Sequence, residues 1–172
     1  MTRSIQDLKA NALTSIHDMF RQDQALRQEL AEATKRRDEI KQQMWLLDDK
    51  NTTSLKGLIR ELGWAPLLAR GGSELWHLVQ HADQDVDFQQ TALRAFTDNQ
   101  PCSITMWQCA FLEDRISMSL QRPQKYGSQL TKSKQTSRWE PYVLENPDRV
   151  DHFRALVGLD SLDEYVLQMN SK

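Results

Sequence analysis

From Ile5 to Leu47 the chain contains neither proline nor glycine, and its apolar residues return at helical spacing. Ile5, Leu8, Ala12, Ile16 and Met19, then Leu26, Leu30, Ala33, Ile40, Met44 and Leu47, trace one stripe. A stretch this long without a breaker is one long helix, or two joined without a strong break. It commits the chain to a helical scaffold with the stripe turned toward a core. The opposite side, "EATKRRDEIKQQ", is charged and suits solvent or a partner helix. A homodimer or another protein partner could use that face, although the spacing is not a clean coiled-coil heptad.

The later segments are shorter. "NTTSLKGLIREL" reads as a capped helix from 52 or 53 to 62, ended by Gly63 and Pro66. Ser73 is a candidate N-cap for a helix over 74–82, Asp85 for the next, and Ser103 for one reaching about Arg115. In "ISMSLQ" the period changes: Ile116, Met118 and Leu120 alternate with polar residues, which is a strand signature. "SQLT" and "RWEPYVLE" flank the polar turn "KSKQTS" and read as further strands. "NPDRVDHFRALVGL", ended by Gly158, and "SLDEYVLQM" close the chain as short helices. The expected fold is mainly α. It is a single-domain helical bundle over 1–172, with a long N-terminal helical segment (1–50) and a helical core (51–115). A small antiparallel β-hairpin or three-stranded sheet follows near residues 116–144, and then the C-terminal helices (145–172).

Composition narrows the function classes. With 39% apolar and 27% charged residues over 172 positions, the chain is a globular protein with one domain's worth of core. A net charge of −2 leaves no footprint for nucleic acid. No apolar run approaches the roughly 18 residues of a membrane span, and "MTRSIQDLKANAL" lacks the apolar segment of a secretory signal. Cys102 and Cys109 are too few and too far apart along a helix for a disulfide framework, so both are expected as thiols in a cytoplasmic protein.

Charged residues on apolar stripes carry the functional signal. Asp23 continues the core-facing stripe after Ile16 and Met19, with Arg27 beside it at i+4. Asp114 follows Trp107 and Phe111 on a buried face, and Arg115 is next to it. Buried charge demands partners, and it perturbs pKa values as active sites do. His77 and His81 have the i,i+4 spacing of helical zinc pairs, but no glutamate or third ligand completes that motif. We therefore expect no metal and, with no phosphate loop or dinucleotide fingerprint, no cofactor. His81 is the better acid–base candidate, because Asp83 or Asp85 beyond the helix end could orient its ring. A histidine at a helix C-terminus is also stabilised by the dipole alone.

Several segments together resemble a bacterial family described as domain of unknown function 6624. They are "DQALR" (23–27), "DDKN" (48–51), "LGW" (62–64), "QHADQDVDFQ" (80–89), "EDR" (113–115), "PQKYGSQ" (123–129) and the C-terminal "NPDRVDHFRALVGLDSLDEY". The likeness covers almost the whole chain. It includes Asp23, Arg27, Asn51, Trp76, Gln80, His81, Asp83, Phe88, Gln89, Asp114, Arg115, Gln124, Tyr126, Gly127 and Gln129. His77 stands where the family usually has an apolar residue, Ser128 where threonine is usual, and "GWAP" where proline usually follows tryptophan directly. The resemblance implies a site and a fold, and no reaction.

Three functions remain open on the sequence. The first is a metal-independent hydrolase, lyase or isomerase acting on a small molecule or peptide. Its catalytic residues would be His81, Asp83 and Asp114, with Asp23, Arg27, Gln80, Arg115, Gln124, Tyr126 and Gln129 binding substrate in one cavity. The second is a non-catalytic module for a small ligand or a protein partner, for example of the immunity type. The third is a polar network that only specifies the fold.

Overall fold

A computed structural model describes residues 5–171 of the chain. The fold is mainly α, with eight α-helices and one two-stranded antiparallel sheet among the described residues. The side chain of Ile5, first in the predicted stripe, and the first four residues of the N-terminal segment lie outside the described set. The chain packs as two compact units that meet in sequence at Ile104 and Thr105, inside the stretch read as one helical core.

The first unit holds α1 (Ile5–Glu32), α2 (Arg37–Leu62), α3 (Trp64–Leu68), α4 (Gly72–Gln80) and α5 (Val86–Asp98). The proline-free stretch is two helices. Arg36 turns the chain in the left-handed region at φ 60°, and the Arg37 guanidinium donates to the Leu30 and Ala33 carbonyls at the end of α1. A side-chain cap thus ends α1 where no glycine or proline marks a break. The predicted stripe supplies Ala12, Ile16 and Ile40 to a core shared with Leu55, Leu75, Val79, Ala92 and Phe96. α1, α2 and α4 pack against one another, and the site forms where they meet.

The separate helix expected from residue 52 or 53 is instead the second half of α2. Thr52 does not cap: its hydroxyl donates back to the Asp48 carbonyl, and Asn51 and Thr52 lie on the buried face. Ser73 does not cap α4 either, since it sits inside the helix with its hydroxyl at His77 Nδ1. Ser103 meets α4 from a distance, accepting from the Gly72 amide, while the helix that starts at Met106 is closed by Thr105 with Gln108. Asp85 does cap α5, accepting from the Phe88 amide, and it also pairs with Lys56.

The second unit holds α6 (Met106–Ser119), β1 (Leu130–Lys132), β2 (Trp139–Pro141), a 3-10 turn (Pro147–Arg149), α7 (Val150–Leu156) and α8 (Leu162–Asn170). The predicted strand at 116–121 is a correction: residues 116–119 are the last turn of α6. No breaker precedes Pro123, and the buried Cys109, Leu112 and Ile116 keep helical period, whereas Leu120, one turn on, is 36% exposed. Helix propagation outweighs five residues of alternation. The hairpin "SQLT"–"RWEPYVLE" forms two strands rather than three, with Leu130 opposite Pro141 and Lys132 opposite Trp139.

Candidate functional site

His81 is the residue that ends α4, and its amide still bonds to the His77 carbonyl. Gln89 holds this turn, donating from Nε2 to the carbonyls of Val79 and Gln80. The His81 ring is thereby set against α1, where Nδ1 lies 3.0 and 3.1 Å from the two carboxylate oxygens of Asp23. The sequence assigned this orienting place to Asp83 or Asp85, and the structure corrects it. Asp83 is exposed and receives a long bond from Gln89, and Asp85 is engaged as a cap. A helix end can draw its carboxylate from any packed neighbour, so the 58 residues between Asp23 and His81 are no obstacle.

Asp23 is almost wholly buried and also accepts from Arg27 Nε at 2.9 Å and Gln24 Nε2 at 2.7 Å. Arg27 then reaches α2, where Nη2 lies 3.0 and 3.2 Å from the oxygens of Asp48. Burial works to raise the Asp23 pKa, but His81 and Arg27 outweigh it and hold the carboxyl well below the usual range. Asp48 goes the other way. Burial, aided by the neighbouring Asp23 charge and only partly opposed by Arg27, raises its carboxyl to about 6. Two adjacent carboxyls with pKa values pushed apart are the usual signature of separate roles. Asp48 is part of "DDKN", a segment to which the sequence attaches no chemistry. Its signal was its place three residues before Asn51 on the buried face of a helix.

Ligand atoms of Asp23, Asp48 and His81 lie within 4.8 Å of one another, a span that a divalent cation could bridge. Arg27 already bonds both carboxylates and supplies the positive charge there, so the residues present fit a cation poorly. His77 takes no part in these hydrogen bonds, although its ring meets that of His81 edge-on at 6.1 Å between centroids. Its Nδ1 lies 2.7 Å from the Ser73 carbonyl, and its ring packs by Phe20 and Trp76.

Of the other predicted site residues, Gln80 is buried on α4, and Asp114, Arg115, Gln124, Tyr126 and Gln129 belong to the second unit, where their hydrogen bonds gather around one loop. Asp114, fully buried, accepts from the amides of Lys125, Tyr126 and Ser128 and so holds the "KYGS" loop. Burial raises its carboxyl while these amides pull it back. Gln124 accepts from the Gln129 amide and donates to the Gln129 and Tyr142 carbonyls, stapling the loop to the chain after β2. Gln129 donates to Ser128 Oγ and Phe111 O, and Arg115 donates to Gln129. Gly127 needs its φ of +67°, and a Cβ there would lie 2.8 Å from Leu162. Burial raises the Tyr126 phenol above its ordinary value, which keeps it protonated at neutral pH. Sequence reasoning missed Arg154, buried with Nη1 2.7 Å from the Tyr126 carbonyl and stacked on Tyr165. Its place one turn after Val150, on an apolar face, was the available signal.

A groove of about 450 Å³ at the start of α1 and α3, lined by Gln6, Lys9, Leu13, Pro66 and Arg70 among others, contains none of the predicted site residues. Among the described residues no helix is long and apolar enough to cross a membrane.

The family model described as "Family of unknown function (DUF6624)" matches residues 7–171, nearly the whole chain. The chain belongs to this family. No curated protein and no solved structure matches it. Both polar networks lie within the matched span, so they are features of a member of this family rather than of an appended segment.

Proposed function

We propose that the protein is a metal-independent acid–base enzyme acting on a small molecule or peptide at His81. The observation that supports this reading is the Asp23–His81 hydrogen bond beside a second carboxyl, that of Asp48, raised to about 6. An ionised Asp23 can only accept, so His81 carries its proton on Nδ1 and exchanges protons at Nε2. Asp48 at about 6 is protonated in roughly one molecule in ten at pH 7, enough to act as a proton donor. Arg27 joins the two carboxyls and offers a cation to charge developing on a substrate. Such a set suits hydrolysis, elimination or isomerisation. The structural reading is better supported for the second unit, whose polar side chains hold backbone groups.

The test is a turnover screen against hydrolase, lyase and isomerase substrate panels with wild type, His81→Gln and His77→Gln. Glutamine keeps a donor for Asp23 and removes the titrating ring. A reaction lost by at least about 100-fold in His81→Gln, kept in His77→Gln and indifferent to chelator supports the proposal. Equal losses in both histidine variants, or loss on chelation, would sink it.

A further inference from the structure

Besides Gln89, whose Oε1 is also unmet, two side-chain amides on the helices that carry Asp48 and His81 are buried and have atoms without a hydrogen-bond partner. They are Nδ2 of Asn51, on a residue 3% exposed, and Oε1 of Gln80, on a residue 6% exposed. Asn51 lies one turn beyond Asp48 on the buried face of α2, and Gln80 immediately precedes His81. α2 and α4 pack together, and Asp48 and His81 approach within 4.8 Å. Both residues therefore sit within one turn, along their own helices, of the residues that would move a proton. Leaving buried amide atoms unmet is unfavourable, and leucine would fill either place without that cost. Their chemistry is specific: one is a donor, the other an acceptor, and both are neutral.

Resting on the reading of His81 as an acid–base group, we infer that Asn51 and Gln80 form the recognition edge of that site. The group they take is a neutral carboxamide, as in a peptide bond or a primary amide. The carboxamide oxygen accepts from Asn51 Nδ2 and its N–H donates to Gln80 Oε1, so one planar group satisfies both atoms. A carboxylate offers acceptors only, and it meets a site that already holds two carboxyls. A simple alcohol has one atom to serve two partners. The edge selects the group, and His81 lies beside it.

The test compares acetamide, acetate and 2-propanol, which have equal numbers of heavy atoms, by NMR on the full ¹⁵N-labelled chain. The side-chain NH₂ signals of Asn51 and Gln80 are assigned from the Asn51→Leu and Gln80→Leu spectra. Acetamide should shift both signals and saturate with a Kd of about 1–100 mM, as expected for so small a ligand. Acetate and 2-propanol should bind at least about tenfold more weakly. Each leucine variant should lose the acetamide response while its Tm stays level or rises by a few degrees, since a buried unmet amide is replaced by an apolar group. Acetate or 2-propanol binding as well as acetamide would overturn the inference. So would unmoved signals with all three compounds, which would mean that water alone meets the amides. Acetamide binding in a protein with no turnover leaves this inference standing and overturns the acid–base reading instead.

Discussion

Asp23 and Asp48 respond to pH in opposite directions, although one guanidinium joins them. Asp48, raised to about 6, keeps its proton in the folded protein over a range where the unfolded chain has lost it. The wild type therefore loses stability as pH rises from about 4 to about 6, by roughly 3 kcal/mol. Asp48→Asn, which cannot ionise, should gain on wild type across that window and hold a constant advantage above it, as measured by urea denaturation at successive pH values. Asp23 lies well below the usual range, so its contribution is present above about pH 4 and is lost on acidification. Asp23→Asn should cost about 3 kcal/mol at pH 7, because it removes the charge that Arg27 and His81 face, and less at pH 3. A pH-independent cost would contradict the electrostatic account. The sequence marked Asp23 through its place on an apolar stripe. It could not mark the pairing with His81, because nothing local links a helix interior to a helix end 58 residues later.

At the scale of elements, the loop after α6 is built around Asp114. Three amides from "KYGS" point at one carboxylate, with Gln124 and Arg154 bracing the same loop from either side. Asp114→Ala should leave those amides unmet and destabilise the second unit by about 3 kcal/mol or more. Hydrogen exchange at Lys125, Tyr126 and Ser128 should speed up together, and exchange left unchanged at the three would refute the anchoring role. The periodicity of the sequence located most helices, the hairpin turn and the Asp85 cap. It failed at boundaries set by distant partners. α1 ends on the Arg37 guanidinium, and α4 begins under the Ser103 hydroxyl. "NTTS" looked like a cap because the same residue types serve as caps and as hydrogen-bonded helix interior.

For the whole molecule, the division at Ile104 and Thr105 has a measurable consequence. Each unit has its own buried residues, with Ile16, Leu55 and Phe96 in the first and Leu112, Ile116 and Val150 in the second. Native-state hydrogen exchange in rising denaturant should resolve two sets of protected amides, one within residues 5–104 and one within 105–171, each opening with its own dependence. A single isotherm for all slow amides would mean one cooperative block. The sequence offered no boundary there. The junction carries no glycine-rich or charged linker, only the short "PCSIT" before α6.

What the sequence determined by itself is what depends on near neighbours. Its proline-free apolar period requires helices, its turn residues place the hairpin, and its misplaced charges show that something polar is buried. The partners were left to the tertiary structure. It chose Asp23 over Asp83 for His81, brought in Asp48 from a helix that the motif reading had passed over, and tied Asp114 to backbone amides. Periodicity specifies which face of an element turns inward, but the group met there depends on how helices far apart in sequence are packed.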